Sequence, residues 1–325
     1  MRDPNQPAPK VSVYCITYNH GPFIAQALDS FLAQQTDFEV EIVVGDDGSK
    51  DDTQAILREY QARFPEKIRL LLSEKNRGAI HNFIDVYHAC RGEYMATCEG
   101  DDYWTDPLKL QKQADFLDAH PHFSMVFHNA EVRFDDDREP PYRLNENQKS
   151  VVTIEDLIGE KETWFMATAS IMLRKTFLPV LPDWIRESKS GDIPLNILLA
   201  QRGPIGYLDE VMSVYRKHGG GQSNTDHRWL ADFLYNRINM YERLDQATGG
   251  RYRDRFRKTM AEFVWHLPDT VEYQDRLWPR LKYTLRAVRY DPATYRVPWR
   301  TLLRDKIIPA TWLSAWRRLR GQHAV

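Results

Sequence analysis

The chain has 325 residues, 42% hydrophobic and 28% charged, with 16 glycines and 18 prolines; it can bury a substantial core, which excludes a disordered or collagen-like protein. The opening MRDPNQPAPK lacks the apolar centre of a secretory signal, and no run approaches the roughly 18 apolar residues of a membrane span, so the reading places the chain in the cytoplasm. The net charge of -2 hides an asymmetry: Arg251 to Val325 hold 17 basic against 7 acidic residues, a local +10 that leaves -12 for the rest.

Residues 1–10 read as a polar tail. Residues 11–16 form an apolar, β-branched run that ends in the turn-rich Thr17-Tyr18-Asn19-His20-Gly21-Pro22, and Ile24, Ala27, Leu28, Phe31 and Leu32 then fall on one helical stripe. The unit repeats. Residues 40–44 are a second strand, followed by Asp46-Asp47-Gly48-Ser49 and a helix capped by Asp51 or Asp52. Residues 68–72 make a third strand, with Ile80, Phe83, Ile84 and Tyr87 marking the next helix. A fourth strand, 94–98, runs into Glu99-Gly100-Asp101-Asp102, and Asp106-Pro107 opens another helix. Alternating strands and helices with near-continuous apolar strands predict an α/β protein with a mostly parallel sheet covered on both faces, whose ligands sit beyond the carboxyl ends of the strands.

After an apolar run at 123–127, residues 135–150 read as a surface loop. A short helix capped by Thr153, a strand near 168–173, a helix after Asp192 and a strand near 211–215 follow. From Asp226 the pattern is helical, with Leu230, Phe233, Leu234, Ile238 and Tyr241 in one stripe. Cys15, Cys90 and Cys98 are odd in number and sit in apolar surroundings, so they read as reduced core residues.

Carboxylates as close as Glu99, Asp101 and Asp102 repel one another unless a cation is bound, and Mg²⁺ and Mn²⁺ commonly bridge such carboxylates to substrate phosphates. A solvated acidic turn capping the next helix is the alternative. Asp46-Asp47 can accept hydrogen bonds from a nucleobase or ribose, or can simply close a turn. Two acidic turns on one edge of one sheet favour the functional readings.

The segments VSVYCITYNHGPFIAQALDSFLAQQ, EIVVGDDGSKDDT, NRGAIHN, GEYMATCEGDDYWTDPLKL and VYRKHGGG, in this order, resemble the family 2 glycosyltransferases of GT-A fold over about residues 10–221. That resemblance implies a catalytic domain over 11–225, with a donor half at 11–130 and an acceptor half at 151–225, followed by a helical appendage at 226–325. It implies that Thr17, Tyr18 and Asn19 line the nucleotide pocket, that Asp47 pairs with uracil, and that Asp46 and Asn76 belong to the donor-binding set. It assigns the ion, Mn²⁺ or Mg²⁺, to Asp102 with Asp101, and leaves Glu99, where the family often has Asp, as a contact to the ribose or to the ligands of the ion.

By the same resemblance His218 reaches the metal or the diphosphate, carried by a mobile Gly219-Gly220-Gly221 loop, and Asp192 is the base that takes the acceptor hydroxyl's proton. As an isolated residue Asp192 reads first as a helix N-cap. The implied partners are a nucleotide-sugar, most readily a UDP-sugar, and a saccharide or lipid-linked saccharide acceptor in surface polysaccharide or glycolipid synthesis. The implied reaction is a single inverting displacement. A sugar-phosphate nucleotidyltransferase and a non-catalytic sugar-nucleotide binder are the competing readings; the turn after the first strand lacks the glycine-rich phosphate loop of the former. Nucleic acid is excluded by the acidic character of the cleft segments.

Five of the nine tryptophans, Trp265, Trp278, Trp299, Trp312 and Trp316, fall in the basic C-terminal stretch. Trp312, Ala315, Trp316 and Leu319 share one helical face with Arg317, Arg318 and Arg320 nearby. Two readings stay open here: an interfacial helix on the inner, anionic face of a membrane, or aromatics that pack the appendage.

Overall fold

The computed structural model describes residues 8–159, 165–221, 230–295 and 297–319; most of the polar tail, Trp164, Asp226 and Arg320 lie outside them. Two compact units divide the chain. Met1–Asp156, Trp164–Arg186 and Ser190–Asn224 form the first, and Leu157–Thr163, Glu187–Lys189 and Thr225–Val325 the second.

The first unit begins with three strand–helix repeats and a fourth strand: β1 (Val11–Thr17), α1 (Ile24–Leu32), β2 (Val40–Asp46), α2 (Thr53–Arg63), β3 (Ile68–Leu72), α3 (Ala79–Ala89) and β4 (Tyr94–Thr97). It continues with β5 (Tyr103–Trp104), α4 (Lys109–Ala119), β6 (Met125–Phe134), β7 (Tyr142–Arg143), β8 (Val151–Val152), α5 (Ile154–Leu157), β9 (Ile171–Arg174), α6 (Asp192–Ala200) and β10 (Ile205–Lys217). The sheet order is β3-β2-β1-β4-β9-β6-β10-β5, with β7 on β6 and β8 on β10.

Strands β3, β2, β1 and β4 are parallel, as their continuous apolar character requires. One face of β1, with Val11, Val13 and Cys15, shares a core with Ile24, Leu28 and Phe31 of α1, Leu57 of α2, and Leu110 and Leu117 of α4. On the opposite face Tyr14 meets Phe83 of α3 edge-on, ring centroids 5.8 Å apart. Helices therefore cover both sides. All three cysteines are buried and free.

In the far half of the sheet the sequence marked segments at 123–127, near 168–173 and near 211–215, but neither their direction nor their full length. β9 lies antiparallel between β4 and β6, and β6 and β10 run on for 10 and 13 residues, well past their apolar runs. Polar residues continue β6 because their side chains are satisfied inside it: Asn129 Oδ1 accepts the N–H groups of Ala130 and Asn145, both at 3.0 Å. The fourth helix also starts later than Pro107, at Lys109. Asp106 instead closes the preceding turn, accepting the Leu108 N–H at 2.8 Å.

The second unit is helical: α7 (Ala231–Ala247), α8 (Arg253–His266), α9 (Leu277–Tyr290), α10 (Pro292–Tyr295), α11 (Trp299–Thr301), a π-helical turn over Leu302–Ile307, and α12 (Ala310–Leu319). Leu234, Ile238, Tyr241 and Leu244 of α7 are buried, as are Phe256, Met260 and Val264 of α8, and Tyr241 stacks near Phe263 at 6.1 Å. Arg280, buried on α9, donates to the carbonyls of Ile307 and Pro268, which fixes the π-helical turn against that helix. No helix among the described residues is long and apolar enough to cross a membrane.

Candidate active site

The parallel strands bring Thr17, Asp46 and the Glu99–Asp102 segment to one edge of the sheet, the carboxyl edge. The backbone continues the ladder beyond the strands: Asp47 N–H donates to Thr17 O at 3.1 Å and Gly100 N–H to Ile16 O at 3.0 Å. Position 100 must be glycine for this approach, since a Cβ there would stand 2.8 Å from Thr17 Oγ1. Thr17 Oγ1 is itself buried without a hydrogen-bond partner.

The Asp46-Asp47 turn divides its labour. Asp46 Oδ1 accepts from Gly48 N–H at 3.1 Å, Ser49 N–H at 3.0 Å and Gln54 Nε2 at 2.5 Å, and its Oδ2 accepts from the Ser49 hydroxyl. That carboxylate closes its own turn, chiefly through Oδ1, and keeps one lone pair on Oδ2. Asp47 takes the N–H of Arg77 on Oδ1 at 2.8 Å and that of Gly78 on Oδ2 at 2.9 Å, so it pins the loop after β3 and keeps one lone pair on each oxygen. Asn76 is exposed in that loop and accepts the Gly78 N–H at 2.9 Å. Asn19, at φ 55°, ties the first turn to the second: its Oδ1 accepts the Lys50 N–H at 2.8 Å and its own N–H donates to Ser49 Oγ. Tyr18 is exposed beside it.

Beyond β4, Asp101 turns its Oδ2 to His218 Nε2 at 3.0 Å and to His20 Nε2 at 3.7 Å. Phe23 packs on the His218 ring at 4.6 Å. The potential ligand atoms of His20, Asp101 and His218 all lie within 4.8 Å of one another, and Asp101 Oδ1 and His20 Nδ1 are buried with no hydrogen-bond partner. Burial works against the Asp101 charge, but the His218 hydrogen bond and the His20 field outweigh it and hold the carboxyl below its ordinary range. Burial holds His20 below the usual histidine range.

Asp102, expected to lead the metal set, also meets β10. Its Oδ1 accepts the Arg216 N–H of β10 at 2.8 Å, and it stands outside the His20–Asp101–His218 group. Asp102 Oδ2 is buried with no hydrogen-bond partner, as Asp101 Oδ1 is. Burial, then the neighbouring Asp101, push the Asp102 carboxyl well up. Glu99 is pushed up to about 8 by burial, then by the fields of Asp101 and of Asp192. Burial, then the fields of neighbours that include Glu99 and Asp192, push up the hydroxyl of Tyr14, which has no hydrogen-bond partner.

Asp192 is the first residue of α6, not its cap. Gly191 holds the cap position without a side-chain bond, and Asp192 Oδ1 accepts the Ser190 hydroxyl. Gly191 is required there because a Cβ would lie 2.8 Å from the Phe83 ring.

His20, Arg216 and Tyr14 were not singled out by the sequence. His20 had a visible signal, its place in the turn after the first strand. Arg216 had none, since only the fold stacks its guanidinium on Phe23 at 4.6 Å and pairs it with Gln26.

The glycosyl transferase family 2 profile matches residues 12–180, more than half of the chain. The chain belongs to this family. Among its relatives is Rv1520 of Mycobacterium tuberculosis, 39% identical over 211 residues, 65% of this chain and 60% of that protein; the chain thus spans about 60% of that relative's length. Among solved structures, residues 1–349 of S. aureus TarS, determined with UDP-GlcNAc, are 20% identical with a TM-score of 0.56, over 97% of this chain and 93% of that one. The mannosyltransferase PcManGT of Pyrobaculum calidifontis, determined with GDP-Man and Mn²⁺, is 17% identical with a TM-score of 0.53, over 99% and 82%. At these identities the two structures establish the GT-A-like fold of this chain.

Proposed function

We propose that this glycosyltransferase moves a sugar from a UDP-sugar onto a hydroxyl of a saccharide or lipid-linked saccharide, with inversion, in surface polysaccharide or glycolipid synthesis. The observation that carries the proposal is the convergence of Asp101, His218 and His20 at the carboxyl edge of the sheet, in the same cluster where Glu99 feels both Asp101 and Asp192.

Two imidazoles and one carboxylate, with unpartnered buried atoms on Asp101 and His20, suit a divalent transition ion. Such a set favours Mn²⁺ over Mg²⁺, which prefers oxygen ligands throughout. A cation held there would neutralise charge on the departing diphosphate. Asp101 and His218 would hold it, with His20 completing the set and Asp102 anchoring the segment to β10.

Thr17 offers an unpartnered hydroxyl to the nucleotide and Asp47 two remaining lone pairs to the uracil, while Tyr18 supplies an exposed ring. Asn19, Asp46 and Asn76 act by shaping the loops that frame the pocket. Asp192 accepts the acceptor hydroxyl's proton, and the Ser190 hydroxyl on Oδ1 orients the carboxylate so that Oδ2 faces the acceptor.

The test is nucleotide release from a panel of UDP- and GDP-sugars with Mn²⁺ and with a chelator. UDP release that requires the ion supports the reading. Turnover of GDP-sugars alone overturns the uridine assignment, and undiminished turnover with the chelator overturns the metal site.

A further inference from the structure

We infer that the second unit carries a docking surface for an anionic lipid bilayer, centred on the outer face of α9. Four residues of this helix are exposed, Trp278, Lys282, Leu285 and Arg289, with Trp278 75% and Leu285 47% accessible. At 3.6 residues per turn they fall within an arc of roughly 60°, directly opposite a side that buries Arg280, Tyr283, Thr284 and Ala287. The stripe alternates a large apolar side chain with a cation along its whole length, and α9 contains no carboxylate.

Lys282 and Arg289 form no ion pair among the described residues, unlike Arg286 on the flank of the helix, which pairs with Glu242 at 2.7 Å. Further large apolar residues stand in solvent in the same unit: Trp299 and Trp312 are each 54% exposed and Val271 is 73% exposed. Thr311 donates to Asp275 at 2.8 Å, which sets the first turn of α12, with Trp312, beside the segment leading into α9, with Trp278. Trp265 shows the contrast: it is half-buried, packs on Tyr295 at 4.6 Å and is capped by Lys306. Of the two readings left open by the sequence, packing therefore describes Trp265 but not Trp278, Trp299 or Trp312.

An indole sits well at the boundary between headgroup and acyl chain, and a cation beside it is drawn to anionic headgroups. A self-associating face would bring Lys282 and Arg289 of one copy toward the same cations of another, which opposes a dimer built on this stripe. Charge complementarity thus selects the bilayer.

The test uses the full-length protein in sedimentation with vesicles of phosphatidylcholine and phosphatidylglycerol, with pure phosphatidylcholine as control. Binding to the anionic vesicles alone, falling with added salt, is the expected result. Two double variants separate the contributions, Trp278→Ser with Leu285→Ser, and Lys282→Glu with Arg289→Glu. Each is expected to weaken binding by about tenfold or more, with circular dichroism showing the fold retained because all four residues are exposed. Sedimentation of both variants at the wild-type level overturns the proposal, as does wild-type protein that stays in the supernatant at low salt. A wild-type dimer in size-exclusion chromatography that the serine variant dissolves, without vesicle binding, assigns the face to a second copy instead.

Discussion

His218 crosses 117 positions of sequence to set its Nε2 3.0 Å from Asp101 Oδ2. The contact joins the end of β10 to the acidic segment after β4, and Phe23, from the turn before α1, braces the histidine ring. Three separate parts of the chain must fold together before this group exists.

The first prediction follows from that geometry. Asp101→Asn and His218→Ala are each expected to weaken Mn²⁺ binding by on the order of 10-fold or more and to lower transfer in parallel. Asp102→Asn keeps the acceptor for the Arg216 N–H and retains Mn²⁺ affinity. Paramagnetic resonance titration of Mn²⁺ reads this directly; equal loss in the Asp101 and Asp102 variants would return Asp102 to the ligand set.

Asp192→Asn should bind UDP-sugar as the wild type does and lose transfer by on the order of 10²-fold or more, as for a general base. Because Asp192 does not cap α6, its melting temperature should stay near that of the wild type. A fall in stability with normal turnover would assign the residue to the helix instead.

Gly48 sits at φ 75°, where a Cβ would stand 2.5 Å from the carbonyl carbon of Lys75. Gly48→Ala is expected to destabilise by about 1–2 kcal/mol from the backbone conformation alone. It should also push the loop held by Asp47 outward, which raises KM for the donor more than it lowers kcat. Thermal denaturation and steady-state kinetics check the two parts, and a variant with unchanged KM would separate Asp47 from the donor.

Lys109 is buried with its Nζ over the Trp104 ring at 4.0 Å and without a hydrogen-bond partner, and burial pushes its pKa down to about 7. Between that value and the ordinary lysine range the unfolded chain holds a proton that the native state has released. Stability should therefore rise with pH across that window, and the contribution should level off at its minimum below about 7, where both states hold the proton. Lys109→Met should flatten the profile and raise stability at neutral pH by on the order of 2 kcal/mol. Urea denaturation from pH 6 to 9 measures both, and an unchanged slope in the variant would remove Lys109 as the cause.

The sequence by itself determined the parallel half of the sheet, because β1 to β4 are local strand–helix repeats whose apolar runs and turn residues lie within a few positions of one another. It also determined that Thr17, Asp47, Glu99 and Asp101 share an edge, since that follows from strand direction alone. Only the tertiary structure decided how each carboxylate is used. Asp46 closes its own turn, Asp102 takes a backbone N–H of β10 on one of its two oxygens, and Asp101 faces two histidines, one of which the sequence did not mark. The physical reason is that a side chain's partner is set by the direction in which the backbone leaves the strand and by which distant strand lies beside it. Neither is encoded in local periodicity. The same holds for Trp278 of the second unit, whose helical spacing is identical whether it faces a core or water, and whose exposure is fixed only when α9 buries its other side.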